Sequence, residues 1–574
     1  MNLTRISFFI IISLFFSFSE KTFAATTPAS IPSSAEPEQI QRAVTQNIES
    51  KQQQQVPTGY PTPEEIQPSS QAPSTAKKIK FKLKKITLSG NHVYSTKTLE
   101  TLYEKYIEKE ITVAELYDIV QSITNYYRNN AYILTRAILP PQKVENGVVK
   151  IEIIEGYINQ VNILGDAAGA KTMMLRFGNE ITASRPTNLS VLGRNLLLEN
   201  EIPGVHAKAA LEPGKTPGTS ELNLKTEFKQ FNGFISYDNY GTRYAGPQEV
   251  TANLGVNSYV VSGDTFQITY ASTPIPEQLT YYGFSYDAPL DSKGTRGTVA
   301  ANFSKTIPGF TLASLEINGF TETLLAQIKY PYYLRCGESL TFLGAFNYIN
   351  SNTTSFNEPL YTDHLRTLSA SGTYNVADHW FGANLIDLGI TQGMPWMNAT
   401  GGANATDISR TDGKGVFTKI NVDASRVQKL PDHFSFYITV QGQYAFNSLL
   451  SAEQFSFGGP TLGRGYDPAE ITGDRGMAES AELRIDVAPK KKYFESMQLY
   501  LFYDAGQTWN LLNLPGQSQN QSATSTGLGS RFSFSSHLSG NLMVAWPLTK
   551  QIASAELIEQ GWQPQAFFSL VAFL

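Results

Sequence analysis

Few residues in this 574-residue chain combine type and spacing in a way that could do chemistry, and the first is an arginine. Arg464 stands in Gly459-Pro460-Thr461-Leu462-Gly463-Arg464-Gly465-Tyr466, inside a glycine-rich stretch from Phe455 to Glu479. A guanidinium is a rigid fork of donors that matches a carboxylate, and burying it without one is costly. Asp504, in Leu499-Tyr500-Leu501-Phe502-Tyr503-Asp504-Ala505-Gly506, is the candidate partner. That chemistry is anchoring, not catalysis. The chain has no GxSxG, HExxH or GxxxxGK[ST] motif. The glycine run lacks the Lys-Ser/Thr ending and the strand-to-helix setting of a phosphate loop. Six histidines show no ligand spacing, and Asp363-His364 and Asp432-His433 read as turn or strand-end residues. The single Cys336 excludes an internal disulfide and a cysteine-based metal cluster, and reads as structural. Neither an enzyme nor a cofactor or metal site is expected.

The loop that carries Arg464 needs walls to hold it. It is too rich in Gly and Pro for a strand or helix, and too long for a hairpin turn. Phe455, Phe457, Leu462, Tyr466 and Ile471 give it an apolar side, and Gly458, Gly459, Gly463 and Gly465 let it reverse and pack closely. Strand-like segments flank it. From Phe228 onward the apolar pattern has period two. In Phe434–Asn447, Phe434, Phe436, Ile438, Val440, Tyr444 and Phe446 share one face, interrupted only by Gly442, while Ser435, Thr439, Gln441, Gln443 and Asn447 share the other with Tyr437 and Ala445. Apolar outside and polar inside is the pattern of a lipid-facing barrel with a wet lumen. Similar runs recur to the end of the chain, about sixteen in all, at about 22 residues per strand and connection. With 29 Tyr, 33 Phe and only 17% charged residues the chain is aromatic-rich and charge-poor, as aromatic girdles require. A net charge of −5 argues against a nucleic-acid partner.

The first half is organised differently. Residues 1–24 read as a secretory signal, with Arg5, the apolar run Ile6–Phe18 and small residues before the cleavage point. No later run is apolar for about 18 residues, so no transmembrane helix is expected. Within 25–77, residues 35–56 favour a helix with Ile40, Val44 and Ile48 four apart, followed by a linker with Pro57, Pro61, Pro63, Pro68 and Pro73. Next, residues 84–91 (KKITLSGN) are echoed by 159–166 (NQVNILGD), an offset of 75. Each copy, 78–156 and 157–228, reads strand, helix, helix, strand, strand. The capping box Thr112-Val113-Ala114-Glu115 opens one helix of the first copy. Lysines 77, 78, 80, 82, 84 and 85 form a solvated strand face that blocks edge pairing, or else draw in an acidic client.

Arg464-Gly465-Tyr466 with Gly473-Asp474-Arg475-Gly476 resembles the sixth extracellular loop of the two-partner secretion transporters, outer-membrane pores for hemolysins and filamentous adhesins. Phe502-Tyr503-Asp504-Ala505-Gly506 resembles their F-x-D-x-G strand, whose Asp faces that Arg inside the barrel. Asp238-Asn239-Tyr240-Gly241 with Gly246 resembles the opening motif of the barrel, and Tyr330-Pro331-Tyr332-Tyr333-Leu334-Arg335 a later turn. Gly463 replaces a branched aliphatic, and Leu574 follows the aromatic that relatives place last. The resemblance covers roughly 79–574. It implies two polypeptide-transport-associated (POTRA) domains in the periplasm and a barrel at 229–574 in the outer membrane of a Gram-negative bacterium. It also implies a partner exoprotein bound through the POTRA pair, contact with outer-membrane lipids, and the barrel-assembly machinery during biogenesis. The N-terminal helix resembles the plug of that family, or is a disordered tail. Arg464–Asp504 is either a gate or a plain loop anchor. A BamA-type assembly factor and a diffusion porin are the other function classes.

Overall fold

The computed structural model describes residues 31–53, 74–274, 278–401, 407–487, 494–512, 519–552 and 561–574. The signal segment 1–24 and the prolines of the linker lie outside the described residues.

Helix α1 (Pro37–Gln53) comes first. The first α/β unit follows, with α2 (Thr96–Glu100) capped by Ser95 and α3 (Val113–Asn129) opened by the Thr112/Glu115 capping box. Its three-stranded sheet runs Lys85–Ser89, Val148–Ile154, Arg136–Ile138 in spatial order. The lysine-rich segment is not one strand: Lys80–Lys82 pairs with Glu110–Thr112, Leu83 turns inward and is fully buried, and Lys85–Ser89 joins the three-stranded sheet. The second unit repeats the order with α4 (Lys171–Ala183), α5 (Leu189–Asn200) and the sheet Tyr157–Gly165, Thr219–Phe228, Val205–Pro213. Helix α4 buries Met174, Phe177 and Ile181 as one continuous stripe. Each unit has its own apolar core.

The rest is a closed barrel of sixteen antiparallel strands. They are Phe231–Asp238, Glu249–Asn257, Thr265–Ser272, Leu279–Pro289, Arg296–Thr306, Asn318–Arg335, Glu338–Ser355, Glu358–Ala377, Gly382–Gly393, Thr418–Lys429, Phe434–Ala445, Arg475–Val487, Ser496–Trp509, Asn520–Ser535, Leu538–Pro547 and Gln565–Phe573. Phe434, Phe436 and Tyr444 face out while Ser435 and Gln443 are buried, so the period-two reading sets the lipid face. Glu338–Ser355 and Glu358–Ala377 are far longer than the apolar runs at 339–349 and 367–375. Their extra residues, such as Asn350, Ser351, Asn352 and Thr353, keep the ladder but lose the apolar signal. The barrel closes on a short seam. Gln565–Phe573 pairs with Phe231–Asp238 over five residues, from Ser569 opposite Asp238 to Phe573 opposite Phe234.

The second unit is joined to the barrel rim. Arg194 of α5 donates to the carbonyls of Lys293 (2.8 Å) and Pro331 (2.7 Å), and Leu334 joins that unit's core. The Tyr330–Arg335 segment is therefore the end of a strand with a register shift at Pro331, and the reversal itself is Cys336-Gly337.

Candidate functional site in the barrel lumen

Strands Arg475–Val487 and Ser496–Trp509 pair with Ser480 opposite Asp504, Glu482 opposite Phe502 and Arg484 opposite Tyr500. Since successive side chains alternate, these six share the lumen face. The long loop comes down onto them. It holds one short pair of strands, Phe455–Phe457 with Ile471–Gly473, and the barrel strand already begins at Arg475, inside the stretch expected to be loop. Gly463 has a φ of +80°, a conformation that branched side chains resist, so it takes the turn that aims Arg464 at the wall.

Arg464 is almost fully buried. Its Nε donates to Asp504 Oδ2 at 3.0 Å and its Nη2 to Asp504 Oδ1 at 2.7 Å. Nη2 also donates to Ser480 Oγ at 2.7 Å, and Nη1 donates to Glu482. The guanidinium carbon lies 3.6 Å above the Phe502 ring. Burial acts to lower the pKa of Arg464, but the hydrogen bonds and charge of Asp504, then Glu482, outweigh it and hold the group above its ordinary value. A cation that satisfied is a rigid fixture. The packing around it is equally constrained. A Cβ on Gly506 would stand 2.3 Å from the Phe457 ring, and one on Gly465 would stand 2.7 Å from Ser525 Cβ. Tyr466 is fully buried, with its hydroxyl 2.9 Å from the Thr524 carbonyl and 3.1 Å from that of Lys550. Asp474 accepts from Arg410 Nη1 (2.6 Å) and from the backbone N–H of Leu449 and Leu511 (2.8 Å each), tying the loop base to its neighbours.

The expected partners Arg464, Phe502 and Asp504 thus meet, with Gly465, Tyr466 and Gly506 packed around them. Glu482 was missed, as was Arg531, which donates to Glu482 Oε1 at 3.0 Å and Oε2 at 3.1 Å. The signal was there: Ser480, Glu482 and Arg484 have the lumen parity of a strand next to Asp504.

The opening-motif residues lie elsewhere, at the seam. Asn239 extends the short pairing by donating to the Ala566 carbonyl (2.9 Å) and accepting from the Phe568 N–H (2.7 Å). Gly241 and Gly246 form a turn so tight that a Cβ on Gly241 would meet the Gly246 carbonyl oxygen at 2.3 Å. Asp238 meets Lys51 of α1.

That contact exists because α1 lies in the lumen. Ile40, Val44 and Ile48 share a core with Phe234, Ala271, Leu279 and Tyr281 of the wall and with Val571 of the last strand. At its N-terminal side Ser33 donates to the Ala469 carbonyl of the long loop (2.6 Å), and Arg42 to that of Gln454 (2.8 Å). Seventeen helical residues span about 25 Å, close to the thickness of a bilayer core. Below the helix, toward the α/β units, a cavity of about 2280 Å³ remains, lined by Gln46, Ser50, Glu482, Arg484, Arg531 and Phe573 among others.

With this geometry in hand, residues 218–532 match the family described as haemolysin secretion/activation protein ShlB/FhaC/HecB, and residues 81–156 match the ShlB-type POTRA domain. The chain belongs to this family. Curated relatives are similar to it over most of their length. The heme/hemopexin transporter protein HuxB of Haemophilus influenzae (strain 86-028NP) is 27% identical over 525 residues, covering 89% of this chain and 92% of the relative. The outer membrane transporter CdiB of Escherichia coli is 22% identical over 548 residues, 91% and 88% of the two chains. The solved structure of CdiB from Escherichia coli superposes with a TM-score of 0.75 at 17% identity, covering 94% of this chain and 99% of that one, which speaks for the fold alone. This ShlB/FhaC-type chain is therefore a two-partner secretion transporter, a pore of the outer membrane that exports a large partner exoprotein, with its POTRA region in the periplasm.

Proposed function

We propose that the exoprotein is captured by the two periplasmic α/β units and crosses the lumen along the wall that α1 covers, beside the loop held by Arg464. The observation that carries this reading is α1 itself. A closed barrel whose bore holds an amphipathic helix that is no part of its wall has a removable obstruction. Capture is supported by the sheets, whose edge strands, Lys85–Ser89 in the first unit and Tyr157–Gly165 in the second, offer backbone groups to an extended chain. Such pairing needs no particular passenger sequence. The cavity below α1 gives the passenger an antechamber. No step forms or breaks a covalent bond, so the drive comes from capture and from folding outside. Lipid contact through the outward aromatic and aliphatic residues, and insertion by the assembly machinery through the final strand Gln565–Phe573, complete the partner set.

A deletion strain tests this. Its culture supernatant and outer-membrane proteome are compared with those of the parent. Loss of one or a few large secreted proteins, with other barrels unchanged, is the expected result and names the passenger. A broad fall in other barrel proteins would make the chain an assembly factor instead.

A further inference from the structure

The opening motif has no part in the Arg464 lock, yet its Asp238 is fully buried and meets a charge. Lys51 Nζ lies 2.5 Å from Asp238 Oδ2, and Lys51 is itself only 2% exposed. A lysine that buried is rare unless paired. One turn earlier on the same helix face, Asn47 Nδ2 stands 3.5 Å from Asp238 Oδ2 and 3.4 Å from Glu249 Oε2. Glu249 is buried too and sits opposite Asp238 across the first strand pair. Ile40, Val44, Asn47, Ile48 and Lys51 form one continuous face of α1, apolar at its upper end and cationic at its lower end. That face lands on the first four barrel strands and the last, and so covers the seam where pairing is shortest.

We propose that Asp238, assisted by Glu249, is the seat of the plug: the positioning residue whose pairing with Lys51 holds α1 in the bore at rest. The proposal rests on the reading of α1 as an obstruction. Apolar contacts alone would let the helix slide or turn along the wall. The buried ion pair fixes its register, because Lys51 displaced from Asp238 leaves a buried charge on each side without its partner. With the helix gone, Asp238 is left without its cation, and the return of Lys51 restores the pair. The seat is thus a reversible catch.

The test uses the purified full-length protein in planar bilayers, recording the fraction of time the pore conducts. Lys51→Met is the primary variant, since it alters the helix and leaves the barrel wall intact. Asp238→Asn is the second. Each is expected to raise the open fraction about tenfold or more, and the double variant no further than either single one. The exchanged pair Lys51→Asp with Asp238→Lys is expected to bring closure back. Silent single variants, or effects that add, would overturn the seat. Deletion of residues 31–53 separates the two levels. A deletion that leaves conductance unchanged sinks the plug reading itself, whereas an open deletion with a silent Lys51→Met sinks only the seat.

Discussion

Arg464 and Asp504 share two side-chain hydrogen bonds, and the Asp504 oxygen that receives Arg464 Nε also accepts the backbone N–H of Gly463 at 3.1 Å and of Arg464 at 2.9 Å. One carboxylate therefore holds both the side chain and the main chain of the loop. The two halves of the pair are not equivalent. Without the guanidinium the backbone bonds survive, and without the carboxylate neither set does.

From this asymmetry, Arg464→Ala is expected to lower export more than it lowers the amount of folded barrel, and Asp504→Ala to lower both more than Arg464→Ala does. Breaking a buried pair costs about 3–5 kcal/mol locally, but the sixteen-strand ladder does not depend on it. Secreted passenger per heat-modifiable barrel in isolated outer membranes is the quantity to compare. Equal proportional losses of passenger and barrel in Arg464→Ala would leave the loop a structural anchor only.

Glu482 gathers three cations, Arg464, Arg484 and Arg531. Glu482→Gln leaves Arg464 its two bonds to Asp504, while Arg484 and Arg531 each lose their only ion-pair partner among the described residues. The expected loss of export is therefore smaller than in Arg464→Ala. Adding Arg531→Gln to Glu482→Gln is expected to recover part of that loss, because it removes one of the two cations left without a carboxylate. A double variant worse than Glu482→Gln alone would show that Arg531 acts by itself.

Gly506→Ala places a methyl group 2.3 Å from the Phe457 ring, a clash that only a shift of the loop relieves. Overpacking of this kind costs about 1–3 kcal/mol. The defect is expected to be rescued in part by Phe457→Leu, which draws the apolar atoms back. Protease sensitivity of the loop in whole cells reads the outcome, and failure of the second substitution to restore protection would place the strain elsewhere.

Much of this was legible in the chain. The period-two runs marked the barrel and its outward face, the offset of 75 marked the paired α/β units, and the glycine spacing with Arg464 and Asp504 marked the lock. What escaped was register. Glu482 and Arg531 matter because of which residues stand opposite one another across strands, and pairing is a property of two segments at once. The seat escaped for the same reason: Lys51 and Asp238 are 187 residues apart, and only the placement of α1 in the bore brings them together. The strand Glu338–Ser355 outruns its apolar signal because its last residues, Asn350 to Ser355, are polar on both faces, so hydropathy fades while the hydrogen-bonded ladder continues.

The other end of α1 predicts a dependence on pH. Glu38 is buried in the bore, its Oε2 accepting from the Tyr361 hydroxyl at 3.3 Å, with Glu36 and Asp363 the other carboxylates beside it. Burial first, and the Asp363 charge second, push its pKa from the ordinary 4.5 up to about 7. A seated helix therefore holds a proton on Glu38 that a released helix gives up above pH 4.5. Seating is favoured fully below that value and weakens as the pH rises to about 7, by at most about tenfold per pH unit for one proton. The fraction of time that the purified pore conducts in planar bilayers is accordingly expected to rise between pH 5 and pH 7. Glu36, pushed up to about 8 by burial and then by the Glu38 charge, titrates with the same sign, so Glu38→Gln should lessen this rise and Glu36→Gln combined with Glu38→Gln should flatten it. A parent pore that opens less at neutral pH, or a Glu38→Gln variant with an unaltered profile, would remove Glu38 from the control of the plug.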